Sequence, residues 1–113
     1  FTTWLVGQPQ LRARLRKQHY AALKTRIVSA VHLESFASRE QFNAFLDHGF
    51  EAVGVKSSII ADSARELIFR ASGGLPREIG KLVRKALRRA DECKKSLIDD
   101  AVIDDVLGEE EAL

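Results

Sequence analysis

Between Pro76 and Lys94 the apolar residues Ile79, Leu82, Val83, Ala86, Leu87 and Ala90 recur at i, i+3, i+4, i+7, i+8 and i+11. Only an α-helix gathers that spacing into one stripe. Lys81, Arg84, Lys85, Arg88 and Arg89 cover the opposite side, so the segment must find other apolar faces against which to bury its own. Pro76 suits the first helical position, where its missing N–H costs nothing, and Gly73-Gly74 let the chain turn sharply before it. Three further segments repeat the pattern. Ser38 and Gln41 form an S-x-x-Q capping box ahead of a helix that ends near Gly54, with Phe42, Phe45, Leu46, Phe50 and Val53 on one face. Ser63 and Glu66 form a second box ahead of a shorter helix with Ala64, Leu67, Ile68 and Ala71 inward. Asp99 caps a last helix whose apolar side is Val102, Ile103, Val106 and Leu107. Four amphipathic helices on short loops predict a compact four-helix bundle over residues 35–108.

The start of the chain reads differently. Residues 2–6 favour a strand and stop at Gly7-Gln8-Pro9, a turn signal. Leu11, Leu15, Tyr20, Ala22 and Leu23 suggest a helix over residues 10–24, and the β-branched run at 26–33 suggests a second strand. Strand, helix, strand makes residues 1–34 α/β in character, so the fold class expected is mainly α with an α/β remnant in front. The acidic residues 109–113 are expected to be a frayed, solvated tail.

With 113 residues, 45% hydrophobic and 30% charged, the composition is that of one soluble globular domain. No apolar run approaches the roughly 20 residues that span a bilayer, and no signal peptide is expected. The single cysteine, Cys93, cannot form an internal disulfide, which points to a reducing cytoplasm; it falls on the apolar side of its helix and is expected in the core. The chain has no methionine and begins Phe1-Thr2-Thr3-Trp4, so it is expected to be a piece of a longer protein or a processed one. His19, His32 and His48 are scattered over different elements, and no spacing suggests a metal site. The pairs Asp99-Asp100 and Asp104-Asp105 are accounted for by capping and solvation, and no nucleophile-elbow pattern occurs.

Two patterns carry chemistry. The unpaired N–H groups and dipole at the start of the helix opened by Pro76 favour an anion, and Arg77 adds a fork of donors suited to phosphate. The alternative is an ordinary loop before a capped helix. The second pattern is the Lys81, Arg84, Lys85, Arg88, Arg89 face, which fits phosphates of DNA without reading bases, or simply keeps one helix face solvated. Formal net charge is only +2, so the chain as a whole lacks the charge of a nucleic-acid binder.

The phrases Leu5-Val6-Gly7-Gln8-Pro9-Gln10-Leu11, Thr25-Arg26-Ile27 leading to His32-Leu33-Glu34, and Ala71-Ser72-Gly73-Gly74-Leu75-Pro76-Arg77-Glu78-Ile79 come in an order that resembles the C-terminal half of an AAA+ ATPase. The nearest subfamily is the one holding the target-selection ATPases of Mu-like transposons and the ATPase of the general secretion pathway. The resemblance implies the last core strands followed by a helical lid. It makes Arg77 the sensor-2 arginine, reaching the terminal phosphates of ATP, and Arg26 an arginine finger acting on a neighbouring subunit's nucleotide. Gln8 falls near the sensor-1 position, where asparagine or threonine is commoner; a surface arginine and a plain turn residue are the alternatives for Arg26 and Gln8. ATP and Mg2+ would be the cofactors of the parent protein, and a homo-oligomer, DNA and a transposase its partners. Neither G-x-x-x-x-G-K-[ST] nor an apolar run ending in an Asp-Glu pair occurs, so this chain alone is expected to be non-catalytic. DNA transposition is the first expectation, with a secretion-type lid or a free-standing DNA-binding module as alternatives. In such a core the two strands would flank a third, so residues 1–33 are expected to rearrange, pair with another copy or be poorly ordered.

Overall fold

A computed structural model describes residues 1–112, which divide into two compact units, Phe1–Leu33 and the part from Glu34 onward. The first unit holds α1 (Pro9–Leu15), a 3₁₀ turn at Gln18–Tyr20 and the single-turn α2 (Ala21–Lys24). The second holds α3 (Arg39–Ala52), a 3₁₀ turn at Ser57–Ile59, α4 (Asp62–Ser72), α5 (Pro76–Glu92) and α6 (Asp100–Glu111).

The second unit is the predicted helical bundle. Helices α4, α5 and α6 pack mutually, while α3 lies along α4 and the 3₁₀ turn. Phe42, Leu46 and Phe50 from α3, Ala64 and Ile68 from α4, Ile79, Leu82, Ala86 and Ala90 from α5, and Val102, Ile103 and Val106 from α6 share one core. Two loop residues join it: Ile60 and Ile98 form a parallel bridge, with Ala61 N–H donating to Ile98 O at 2.9 Å and Ile98 N–H to Ile59 O at 2.7 Å. The loops before α4 and α6 are thereby tied together in the interior, where their backbone groups need partners.

Helix ends follow local chemistry. Ser38 Oγ accepts from Gln41 N–H at 3.2 Å, and Gln41 Oε1 accepts in return from Ala37 N–H at 3.2 Å. Asp99 caps α6 by accepting from Val102 N–H at 3.2 Å, a bond that holds its carboxyl below the usual carboxylate range, with Lys95 adding to the effect. The Ser63–Glu66 box does not form. Helix α4 starts two residues earlier, at Asp62 with Ala61 as N-cap, leaving Ser63 Oγ to donate to Asp100 Oδ1 at 2.5 Å and Glu66 to bind Arg39.

Helix α5 closes in a Schellman motif, Lys95 N–H donating to Ala90 O at 2.8 Å and Lys94 N–H to Asp91 O at 3.0 Å. The motif requires a left-handed residue, and Lys94 supplies it at φ 56°. Lysine is strained there, whereas glycine is not. Lys94→Gly is therefore expected to stabilise the bundle by about 1 kcal/mol. Urea denaturation measures this, and a loss of stability would show that the lysine side chain contributes more than its backbone costs.

Several sequence expectations are corrected. Residues 2–6 and 26–33 form no strand, and no residue of α1 or α2 is buried. A lone β-prone segment has no ladder to join, so its propensity alone cannot make a strand. The helix expected over 10–24 breaks into two short pieces around Arg16-Lys17, with α1 only seven residues long. Cys93 is exposed, because α5 ends at Glu92 and the left-handed turn at Lys94 carries the chain away from the core stripe. Phe45 (37% exposed) and Val53 (70%) lie outside the core, since α3 meets the bundle along one narrow line of every fourth residue; Ala71 of α4 and Leu87 of α5 (40%), both expected inward, are exposed as well. Of the expected acidic tail at 109–113, residues 109–111 belong to α6, which runs through Glu111, and Glu110 is held by Lys85 and Lys81; Leu113 lies outside the described residues.

Candidate functional site

Arg77 is the second residue of α5, one step after Pro76, and is exposed. The turn that presents it is rigid. Gly73 and Gly74 both take positive φ, at 61° and 75°, and Gly74 O accepts from Phe36 N–H at 2.8 Å. Ser72, itself buried, accepts from Gly74 N–H through Oγ at 3.2 Å and donates to Phe69 O at 3.1 Å. This knot fixes where α5 begins and therefore where the guanidinium of Arg77 sits. Among the described residues Arg77 makes no ion pair and no side-chain hydrogen bond, so its five donors remain free for a ligand.

The five cations of the basic face divide in two. Lys81 and Lys85 bind Glu110, and Arg89 binds Asp105 at 3.3 Å and Glu92 at 3.5 Å. The Lys85 contact, followed by Lys81, holds the Glu110 carboxyl below its usual range. Arg84 and Arg88 face solvent and form no ion pair among the described residues. The half of the face nearer α6 is thus internally neutralised, which weakens it as a DNA-binding surface.

The other two candidates lie in the first unit. Gln8 is the N-cap residue of α1, but its side chain makes no capping bond; its carbonyl accepts from Leu11 N–H at 2.9 Å. Arg26 follows α2, its N–H donating to Leu23 O at 3.0 Å, and is exposed.

Two buried or half-buried arginines escaped the sequence reading. Arg65 of α4, 9% exposed, donates to Asn43 Oδ1 at 3.1 Å, Asp47 Oδ1 at 2.9 Å and Ser57 O at 3.1 Å. Ser57 and Arg65 hold the Asp47 carboxyl below its ordinary value. Arg39, at the start of α3, binds Glu66 and reaches Asp62 at 3.3 Å, and Glu66 also receives Arg70 at 3.3 Å. A usable signal existed for Arg65: it falls beside Ala64 and three residues before Ile68, on the inward face, with Asn43 and Asp47 one turn apart on α3. Both clusters are structural clamps between α3 and α4.

In class this is a helical-bundle domain with a free arginine at a fixed helix start. No family model matches the chain, and no solved structure matches it. The sequence is 31% identical over 83 residues to General secretion pathway protein A of Aeromonas hydrophila, a stretch covering 74% of this chain. The match spans 15% of that relative's length. The chain is therefore distantly related to a general secretion pathway protein.

Proposed function

We propose that the part from Glu34 onward is the helical lid of a secretion-type AAA+ ATPase, and that Arg77 senses the terminal phosphates of ATP bound by the intact protein. The observation that carries this reading is the unpaired, exposed guanidinium of Arg77 on a helix start pinned by Gly74 and Phe36. A group meant to engage a ligand that comes and goes needs a fixed base and no competing carboxylate. The distant relation to General secretion pathway protein A favours secretion over transposition. So does the basic face, whose Lys81, Lys85 and Arg89 are already committed to carboxylates instead of standing ready for DNA or a transposase complex.

In this reading ATP is the substrate, and Arg77 binds and orients its phosphates from the lid side. A phosphate cradle and a Mg2+ ligand would come from residues outside this chain, which contains neither motif. Gln8 and Arg26 keep their proposed places beside the γ-phosphate and at a subunit boundary of a cytoplasmic oligomer.

The test is Arg77→Ala in the full-length protein. Loss of one charged donor to phosphate is expected to lower ATP turnover about tenfold. The same substitution in the 113-residue chain should leave stability within about 0.5 kcal/mol, because the residue touches nothing that holds the bundle. Unchanged turnover in the full-length variant would sink the reading.

A further inference from the structure

Arg77, Arg84 and Arg88 stand at spacings of seven and four residues, which places them within about 40° of one line along α5. That line points away from the core residues Ile79, Leu82, Ala86 and Ala90, and all three arginines are exposed and free of ion pairs among the described residues. Helix α6 carries the reciprocal pattern. Asp100, Asp104 and Glu111 stand at spacings of four and seven, again within about 40° of one line, and all are exposed. Asp100 accepts one hydrogen bond from Ser63, and Asp104 and Glu111 have no ion-pair partner among the described residues.

Run antiparallel, the two stripes fall into register: Arg88 opposite Asp100, Arg84 opposite Asp104, Arg77 opposite Glu111. The bundle already uses this pairing internally, where Arg89 meets Asp105 and Lys85 meets Glu110 as α5 and α6 run in opposite directions. The leftover charges repeat the scheme on outward faces that a single copy cannot bring together.

We propose that the arginine stripe of α5 docks on the carboxylate stripe of α6 of a second copy of this chain, head to tail. Charge complementarity in register selects this occupant over an unrelated acidic partner. A formal net charge of only +2 also leaves little general repulsion between copies. Exposed ion pairs are individually weak, so the contact is a low-affinity one that a larger assembly would multiply. Arg84 and Arg88 carry the contact, Arg77 being the residue that the ATPase reading reserves for phosphate; the inference does not rest on that reading, and its test does not measure turnover.

Sedimentation of the 113-residue chain over a concentration series is the experiment. At about 10 mM salt the weight-average mass should rise with concentration, and at about 300 mM salt the rise should vanish as screening shortens. Arg84→Glu alone and Asp104→Arg alone should each weaken association about fivefold, since one attraction becomes a repulsion. The double variant Arg84→Glu/Asp104→Arg should restore it, because the swapped charges again face each other. Restoration supports the pairing; loss in both singles without rescue overturns it. So does a chain that stays monomeric at low salt, or one that instead binds duplex DNA through Arg84 and Arg88 while failing to self-associate.

Discussion

Gly74→Ala should destabilise the helical unit by about 3 kcal/mol, while Gly73→Ala beside it should cost about 1 kcal/mol. Both glycines take positive φ, so an alanine at either incurs the left-handed backbone strain. They differ in what surrounds them. Nothing lies within 4 Å of a Cβ built on Gly73, whereas one built on Gly74 would sit 3.0 Å from the carbonyl carbon of Phe36 and overlap its oxygen. Backbone cannot rotate aside as a side chain can. The segment before α3 would have to move, losing the Phe36 N–H bond to Gly74 O and disturbing the ring of Phe36, which packs 5.1 Å from that of Phe45. One hydrogen bond and one aromatic contact contribute about 1 kcal/mol each, which brings the total to about 3. Urea denaturation of the two variants checks the difference; equal losses would show that the approach of Phe36 contributes nothing.

How far the residues alone disclose this depends on how local the cause is. The start of helix α5 and its buried residues Ile79, Leu82, Ala86 and Ala90 were legible, because the Gly-Gly-Leu-Pro start and the stripe are both contained in its own segment; Leu87, expected on the same stripe, is 40% exposed. The caps at Ser38 and Asp99 were equally local. The Ser63–Glu66 box had the right spacing, yet Ser63 and Glu66 found better partners in Asp100 and Arg39, which lie 37 and 27 residues away. Such competition is invisible to a local rule. The two β-prone segments failed for the same reason in reverse, since strand formation needs a neighbour that no single segment contains. For the candidate site, Arg77 could be placed from the order of residues, but which cations of α5 stay free could not. That division depends on the angle at which α6 crosses, which sets Glu110 beside Lys81 and Lys85 and leaves Arg84 and Arg88 outside.

Arg65→Met should cost about 2 kcal/mol and should also flatten the response of stability to acid. Breaking a fully buried ion pair costs more, but Asp47 is 52% exposed and regains water once Arg65 is gone. What water replaces poorly is the guanidinium's bond to Ser57 O and to Asn43 Oδ1, which join α3 and the 3₁₀ turn to α4. Asp47→Asn should therefore cost less than Arg65→Met, since it leaves both of those bonds in place. The acid response follows from the depressed carboxyl of Asp47, which Ser57 and then Arg65 hold down. A group whose pKa is lower folded than unfolded contributes stability above its unfolded value, near pH 4, and loses it as pH falls through the folded value. Unfolding of the parent chain should thus become easier from about pH 4 downward, and less so in Arg65→Met, where one of the two groups holding Asp47 is missing. Denaturation midpoints at pH 7 and pH 3 separate the outcomes. A variant as stable as the parent at pH 7 would mean that the α3–α4 clamp is held by Arg39 and Glu66 alone.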